Sequence, residues 1–89
     1  MSEPSVKPAL GYVPDAKTAV RIAEAILIPI YGERAVALER PYDAELHGNV
    51  WRIYGTLPKL KAGWGWAGGV AEVTVDRRTG KVLRVAHGE

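Results

Sequence analysis

The stretch from Asp15 to Ile30 constrains this chain most, because it is the one run long and regular enough to form a core helix. Its apolar residues Ala16, Ala19, Val20, Ala23, Ile26, Leu27 and Ile30 recur at three- and four-residue steps, and Lys17, Arg21 and Glu24 fall on another side. That pattern is one stripe facing one core. Pro14 followed by Asp15 starts the helix, an acidic residue there favouring its positive end, with Thr18 helping to satisfy the free amides. Pro29 lacks an amide hydrogen and clashes with the carbonyl of Ala25, so a kink or an end is expected in the last turn, with Gly32 in a positive-φ position after it.

Beyond Glu33 the chain reads as short extended segments punctuated by glycine and proline. Glu33 to Leu38 is open between a short second helix and the start of a strand. Pro41 to Leu46 and Val50 to Leu57 form an antiparallel pair around Gly48-Asn49, which sets His47 opposite Val50, Leu46 opposite Trp51 and Glu45 opposite Arg52. In that register Tyr42, Ala44, Leu46, Trp51 and Ile53 share the inner face, and Asp43, Glu45, His47, Arg52 and Tyr54 share the outer one. Lys59 to Gly69 holds four glycines and two tryptophans and reads as a loop. Val70 to Val75 and Lys81 to Ala86 make a second hairpin, with Asp76 to Gly80 as its turn and Gly80 at positive φ. Ala71, Val73, Val75, Leu83 and Val85 are expected inward, although a turn of this length leaves the register open.

The fold class that follows is α+β: one long N-terminal helix packed on a curved antiparallel sheet of about four strands. Residues 1–10 are expected to be a flexible lead and 11–89 a single domain, with Met1 to Val13 showing neither periodicity nor a buried face. A chain of 89 residues builds one core and buries about 60 to 65% of its unfolded surface. The longest apolar run, Ala25 to Ile30, is far short of a membrane span, and Met1 to Pro8 lacks the apolar stretch of a secretory signal. With no cysteine there is no disulfide or thiolate metal site, and a cytoplasmic location is expected. The net charge of +2 is small and dispersed, so nucleic-acid binding is not expected.

Catalytic chemistry is hard to assemble from these residues. His47 and His87 have no second histidine at ligand spacing, so no metal site or cofactor is expected, and exposed polar residues are the simpler account. Asp43, Glu45 and His47 point the same way along a strand and offer an acid and a base, but Arg52 can pair with those carboxylates on a solvated face. Ser2 and Ser5 both fall in the lead, which leaves no serine nucleophile on a rigid turn. The glycines around Trp64 lack the Gly-Lys-Ser/Thr and following helix that a phosphate loop requires.

Trp64 and Trp66 are more informative, because two tryptophans on a glycine-rich loop can both be presented to a partner, with Lys59 and Lys61 favouring an acidic contact surface. The blander account folds one or both back to cap the sheet. Trp51 alternates with core residues and reads as structural. Tyr12, Tyr31, Tyr42 and Tyr54 can line a pocket between helix and sheet or simply pack its rim; Tyr31, Tyr54 and His87 are the candidate pocket residues.

Taken in order, Gly11-Tyr12-Val13-Pro14-Asp15-Ala16, Ile28-Pro29-Ile30-Tyr31-Gly32, Pro41-Tyr42, Trp51 to Pro58, Gly68-Gly69-Val70-Ala71 and Gly80 to Val85 with His87-Gly88 resemble a family. It is that of bacterial immunity proteins with a nuclear transport factor 2 type, cystatin-like fold, encoded beside polymorphic toxins. The likeness runs from Gly11 to Gly88, departing at Lys61 to Ala67, where a shorter link is expected. It implies a cone-like α+β domain without catalytic residues, whose role is to bind and neutralise a cognate toxin protein in the cell that makes it. The near-neutral charge disfavours imitation of nucleic acid and leaves steric or allosteric blockage, with Trp64, Trp66, Lys59 and Lys61 at the contact. The alternative is a small-molecule-binding or enzymatic domain of the same fold using the pocket. A third reading, similarity of the last hairpin to PepSY domains, rests on generic residues.

Overall fold

The computed structural model describes residues 9–57 and 69–88. In order they form α1 (Ala16–Tyr31), α2 (Glu33–Leu38), β1 (Asp43–His47), β2 (Val50–Tyr54), β3 (Ala71–Asp76) and β4 (Val82–His87). The strands make one antiparallel meander in the order β1-β2-β3-β4, and α1 lies across β1, β2 and β3. This is the α+β arrangement expected from the sequence.

Helix α1 begins where Asp15, in extended conformation, accepts the Thr18 amide on Oδ1 at 2.8 Å. Asp15 is therefore the cap itself, with Thr18 as its partner. The row Ala19, Ala23, Leu27 is fully buried, and its two alanines let the helix axis approach the sheet closely. Val20, Ile22 and Ile28 flank that row, whereas Ile30 lies off it and is 55% exposed. Pro29 is accommodated in the last turn, and Gly32, at φ +93°, donates to Ile28 O at 2.8 Å and turns the chain straight into α2. The ambiguous segment after Gly32 is thus a helix, anchored by buried Val36.

The first hairpin has the expected register, with His47, Leu46 and Glu45 opposite Val50, Trp51 and Arg52. Trp51 and Ile53 are buried, but Leu46 is 43% exposed because its strand has a neighbour on one side only. The second hairpin corrects an expectation. Val75 pairs with Val82 while Thr74 pairs with Arg84, so Leu83 is an extra residue with no partner. That bulge turns Val82 toward the core and leaves Leu83 48% exposed.

The approach to α1 is also more structured than its composition suggests. Val13 is fully buried, its amide donates to Arg77 O at 3.0 Å and its carbonyl accepts the Trp51 indole Nε1–H at 2.7 Å. A Cβ on Gly11, which sits at φ +95°, would lie 2.5 Å from Arg77 O. Gly11 and Val13 are therefore buried, and the segment is tied to the β3–β4 turn, with Tyr12 between them on the surface.

Candidate functional site

The ionisable cluster with the strongest geometry forms where α2 ends against the start of β3 and the end of β4. Glu39 follows α2 and is only 8% exposed. Its Oε1 accepts the buried Ala71 amide at 2.7 Å, and its Oε2 lies 3.2 Å from His87 Nε2. Gly55 faces it so closely that a Cβ there would lie 2.5 Å from Oε1. The imidazole leans on the Tyr31 ring, centroids 5.4 Å apart. Beneath them Tyr42 donates to Val36 O at 3.1 Å, and burial, reinforced by the neighbouring Glu39 carboxyl, pushes its phenol up to about 12.

These groups border a cleft lined by Tyr31, Ala35, Val36, Glu39, Tyr42 and His87. Its volume of about 40 Å³ admits water rather than a metabolite, since ligand pockets run to about 300 Å³ or more. Of the three residues expected to form a pocket, Tyr31 and His87 do meet here. Tyr54 does not. It lies on the opposite face of the sheet, as strand alternation requires, donating to Glu45 Oε2 at 3.0 Å beneath the Arg52 guanidinium, 4.7 Å from its ring centre. Glu39 escaped notice in the sequence because its partners Ala71 and His87 are 32 and 48 residues away.

The outer face carries a ladder of paired charges. Arg52 bridges Glu45 at 3.5 Å and Glu72 at 3.2 Å, His47 lies 3.2 Å from Glu45, and Arg84 reaches Glu72 at 3.8 Å. Hydrogen bonds from His47 and Tyr54 hold the Glu45 carboxyl below its ordinary range, and the bond to Glu72 raises the Arg52 guanidinium. Asp43, Glu45 and His47 thus form no converging acid–base set: Glu45 is spent on its neighbours, and the ladder is solvated.

A second concavity, open and about 410 Å³, runs between α1 and β1. Ala16, Val20 and Ala44 give it an apolar floor, with Lys17, Arg21 and Asp43 on its rim. Trp64, Trp66, Lys59 and Lys61 lie outside the described residues. Among the described residues no group of three or more His, Asp or Glu is placed to hold a metal, and no helix is long and apolar enough to cross a membrane.

A helix laid over an open antiparallel sheet, with its strongest ionisable cluster spent on structure, defines a small α+β scaffold. Comparison with protein families identifies which one. The profile of the family described as NTF2 fold immunity protein matches residues 18–89, and the chain belongs to that family. Comparisons with curated proteins and with solved structures find no match.

Proposed function

We propose that this immunity protein acts by binding a cognate bacterial toxin in the cytoplasm of the cell that makes it, blocking it by occupation and not by catalysis. Family membership supports the immunity role. The observation that favours a non-enzymatic mode is the cleft: Glu39 and Tyr42 spend their polar atoms on Ala71, His87 and Val36, and the space left is water-sized. An inhibitor needs complementary surface, and exposed loops are where such surface varies.

The test is a titration of the toxin domain encoded in the adjoining reading frame with purified immunity protein. Loss of toxic activity that ends at one equivalent, with a complex that co-elutes, is the expected result. Full protection at a small fraction of an equivalent would mean turnover and would sink the non-enzymatic reading. On sequence grounds Trp64, Trp66, Lys59 and Lys61 belong to the contact, and a Trp64→Ala/Trp66→Ala variant that folds and binds unchanged removes them from it.

A further inference from the structure

The two rims of the sheet are unlike. At the β4 rim the Leu83 bulge breaks the line of the strand, and Gly88 continues it by donating to Val70 O at 3.0 Å, next to the His87–Glu39 pair. Bulges of this kind blunt an edge against further pairing. Strand β1 has no bulge through all five of its pairs with β2.

The phase of the ladder fixes which groups β1 leaves free. Gly55 donates to Ala71 O at 3.1 Å and Arg77 donates to Asn49 O at 2.8 Å, so the odd-numbered residues of β2 direct their hydrogen bonds to β3. Its even-numbered residues Val50, Arg52 and Tyr54 then bond His47, Glu45 and Asp43, as the two-residue turn also requires. The N–H and C=O of Ala44 and Leu46 consequently point away from the sheet, unpaired among the described residues. Beside them lies the α1–β1 groove, and its rim charges Lys17, Arg21 and Asp43 make no ion pair or hydrogen bond among the described residues, in contrast to the paired ladder of the outer face. Leu46, on the groove side of the strand, is 43% exposed.

We propose that β1 is the docking edge for an extended segment of the protein partner, which adds as a fifth strand by bonding the backbone of Ala44 and Leu46. Side chains of the added strand alternate, and the chemistry on each side specifies them. On the helix side, beside Val20, Leu46, Lys17 and Arg21, they are apolar or carboxylate. On the other side, beside Asp43, they are lysine or arginine. A second copy of this chain is a poor occupant, because pairing Ala44 with Leu46 antiparallel sets Glu45 against Glu45 and brings Lys17 and Arg21 toward their own counterparts. The proposal rests on the toxin-binding reading above and names its surface.

Amide hydrogen exchange of the full chain, alone and saturated with the toxin domain from the adjoining frame, tests it. The Ala44 and Leu46 amides are expected to exchange freely in the unbound protein and to slow at least about tenfold in the complex. Leu46→Pro, which removes an amide β2 does not use, and Lys17→Glu/Arg21→Glu, which reverses the rim, are each expected to weaken binding at least about tenfold. Leu83→Lys on the other rim is expected to leave it unchanged. A toxin that binds with neither amide slowed and with the charge-reversed variant unaffected overturns the docking edge and spares the toxin-binding reading. A toxin that does not bind at all overturns that reading and the edge with it. Protection that rises with protein concentration in the absence of toxin assigns the edge to a second copy, and protection in the free chain that disappears when residues 1–8 are deleted assigns it to that segment; either result overturns the proposal.

Discussion

Glu39 is the residue whose loss the structure prices most sharply. Truncating it to alanine strips the acceptor from the Ala71 amide, 2.7 Å away in a residue only 2% exposed, and a buried donor left without a partner costs about 1 to 3 kcal/mol. The γ-methylene of the side chain is lost as well, at about 0.8 kcal/mol. The sum is about 3 kcal/mol, which for a domain of this size lowers Tm by about 12 to 24 °C. Glu39→Gln keeps an acceptor oxygen at the same place and is expected to cost less than about 1 kcal/mol. Urea and thermal unfolding of the two variants separate the terms. Exchange at the Ala71 amide provides the local check, fast in the alanine variant and slow in the glutamine one. Gly55→Ala adds a Cβ 2.5 Å from Glu39 Oε1 and 2.8 Å from its Cβ and so costs about 1 to 3 kcal/mol in the parent; Glu39→Ala removes the first contact and keeps the second, so only part of that cost is relieved. Alanine and glutamine variants that unfold within about 0.5 kcal/mol of each other would refute the assignment of the Ala71 bond as the main contribution.

Three further outcomes follow from the same geometry. Because the folded Tyr42 phenol is raised from 10.0 to about 12, its contribution is complete below pH 10.0 and is lost as pH rises through about 12, a fall of about 2 to 3 kcal/mol at 1.36 kcal/mol per unit; urea midpoints across that range should drop, and Tyr42→Phe should remove the drop. The Asp15 and Asp76 carboxyls are held below their ordinary 3.8, Asp15 mainly by its bonds with Thr18 and Asp76 mainly by the Thr79 amide, so the stability they give is present above 3.8 and is lost as pH falls below it; an Asp15→Asn/Asp76→Asn variant should show a flatter acid limb in thermal melts. Leu83→Lys should change stability by less than about 0.5 kcal/mol, and Val82→Lys should cost more than about 2 kcal/mol, an order that a chain without the bulge would reverse.

What the sequence disclosed and what it withheld divide along the range of the interactions. The β1–β2 register was legible because a two-residue turn leaves one way to close the pair, and the Glu45–Arg52 and Leu46–Trp51 oppositions agree with it. The β3–β4 register was not, because the longer turn from Asp76 to Gly80 permits several closures and the choice among them, with Leu83 pushed out and Val82 drawn in, is made by packing. The burial of Gly11 and Val13 has no mark in their local sequence because it depends on Trp51 and Arg77, residues far along the chain. The meeting of Tyr31 with His87 was anticipated as a pocket, yet the residue that defines the corner, Glu39, has nothing in its local sequence to mark it. Tyr54 was assigned to the outer face by alternation and to a pocket by its chemistry, and alternation prevailed.

The structural corner and the proposed docking rim occupy different parts of the sheet, and this separation has a measurable consequence. Glu39, Gly55, Ala71 and His87 tie the end of α2 to β2, β3 and β4, whereas Lys17, Arg21 and Asp43 stand on the rim of β1 and form no ion pair or hydrogen bond among the described residues. Substitutions in the first group therefore act on unfolding, and substitutions in the second act on a partner, with additivity expected because no hydrogen bond or ion pair among the described residues joins the two sets, although Tyr42 borders both. Charge changes at Lys17 and Arg21 can then alter which segment the edge accepts without disturbing the core row Ala19, Ala23, Leu27 behind them. A Lys17→Glu/Arg21→Glu variant combined with Glu39→Gln should accordingly show each single variant's own effect on affinity and on Tm, and a coupling above about 0.5 kcal/mol in either quantity would mean that the rim and the corner are one cooperative unit.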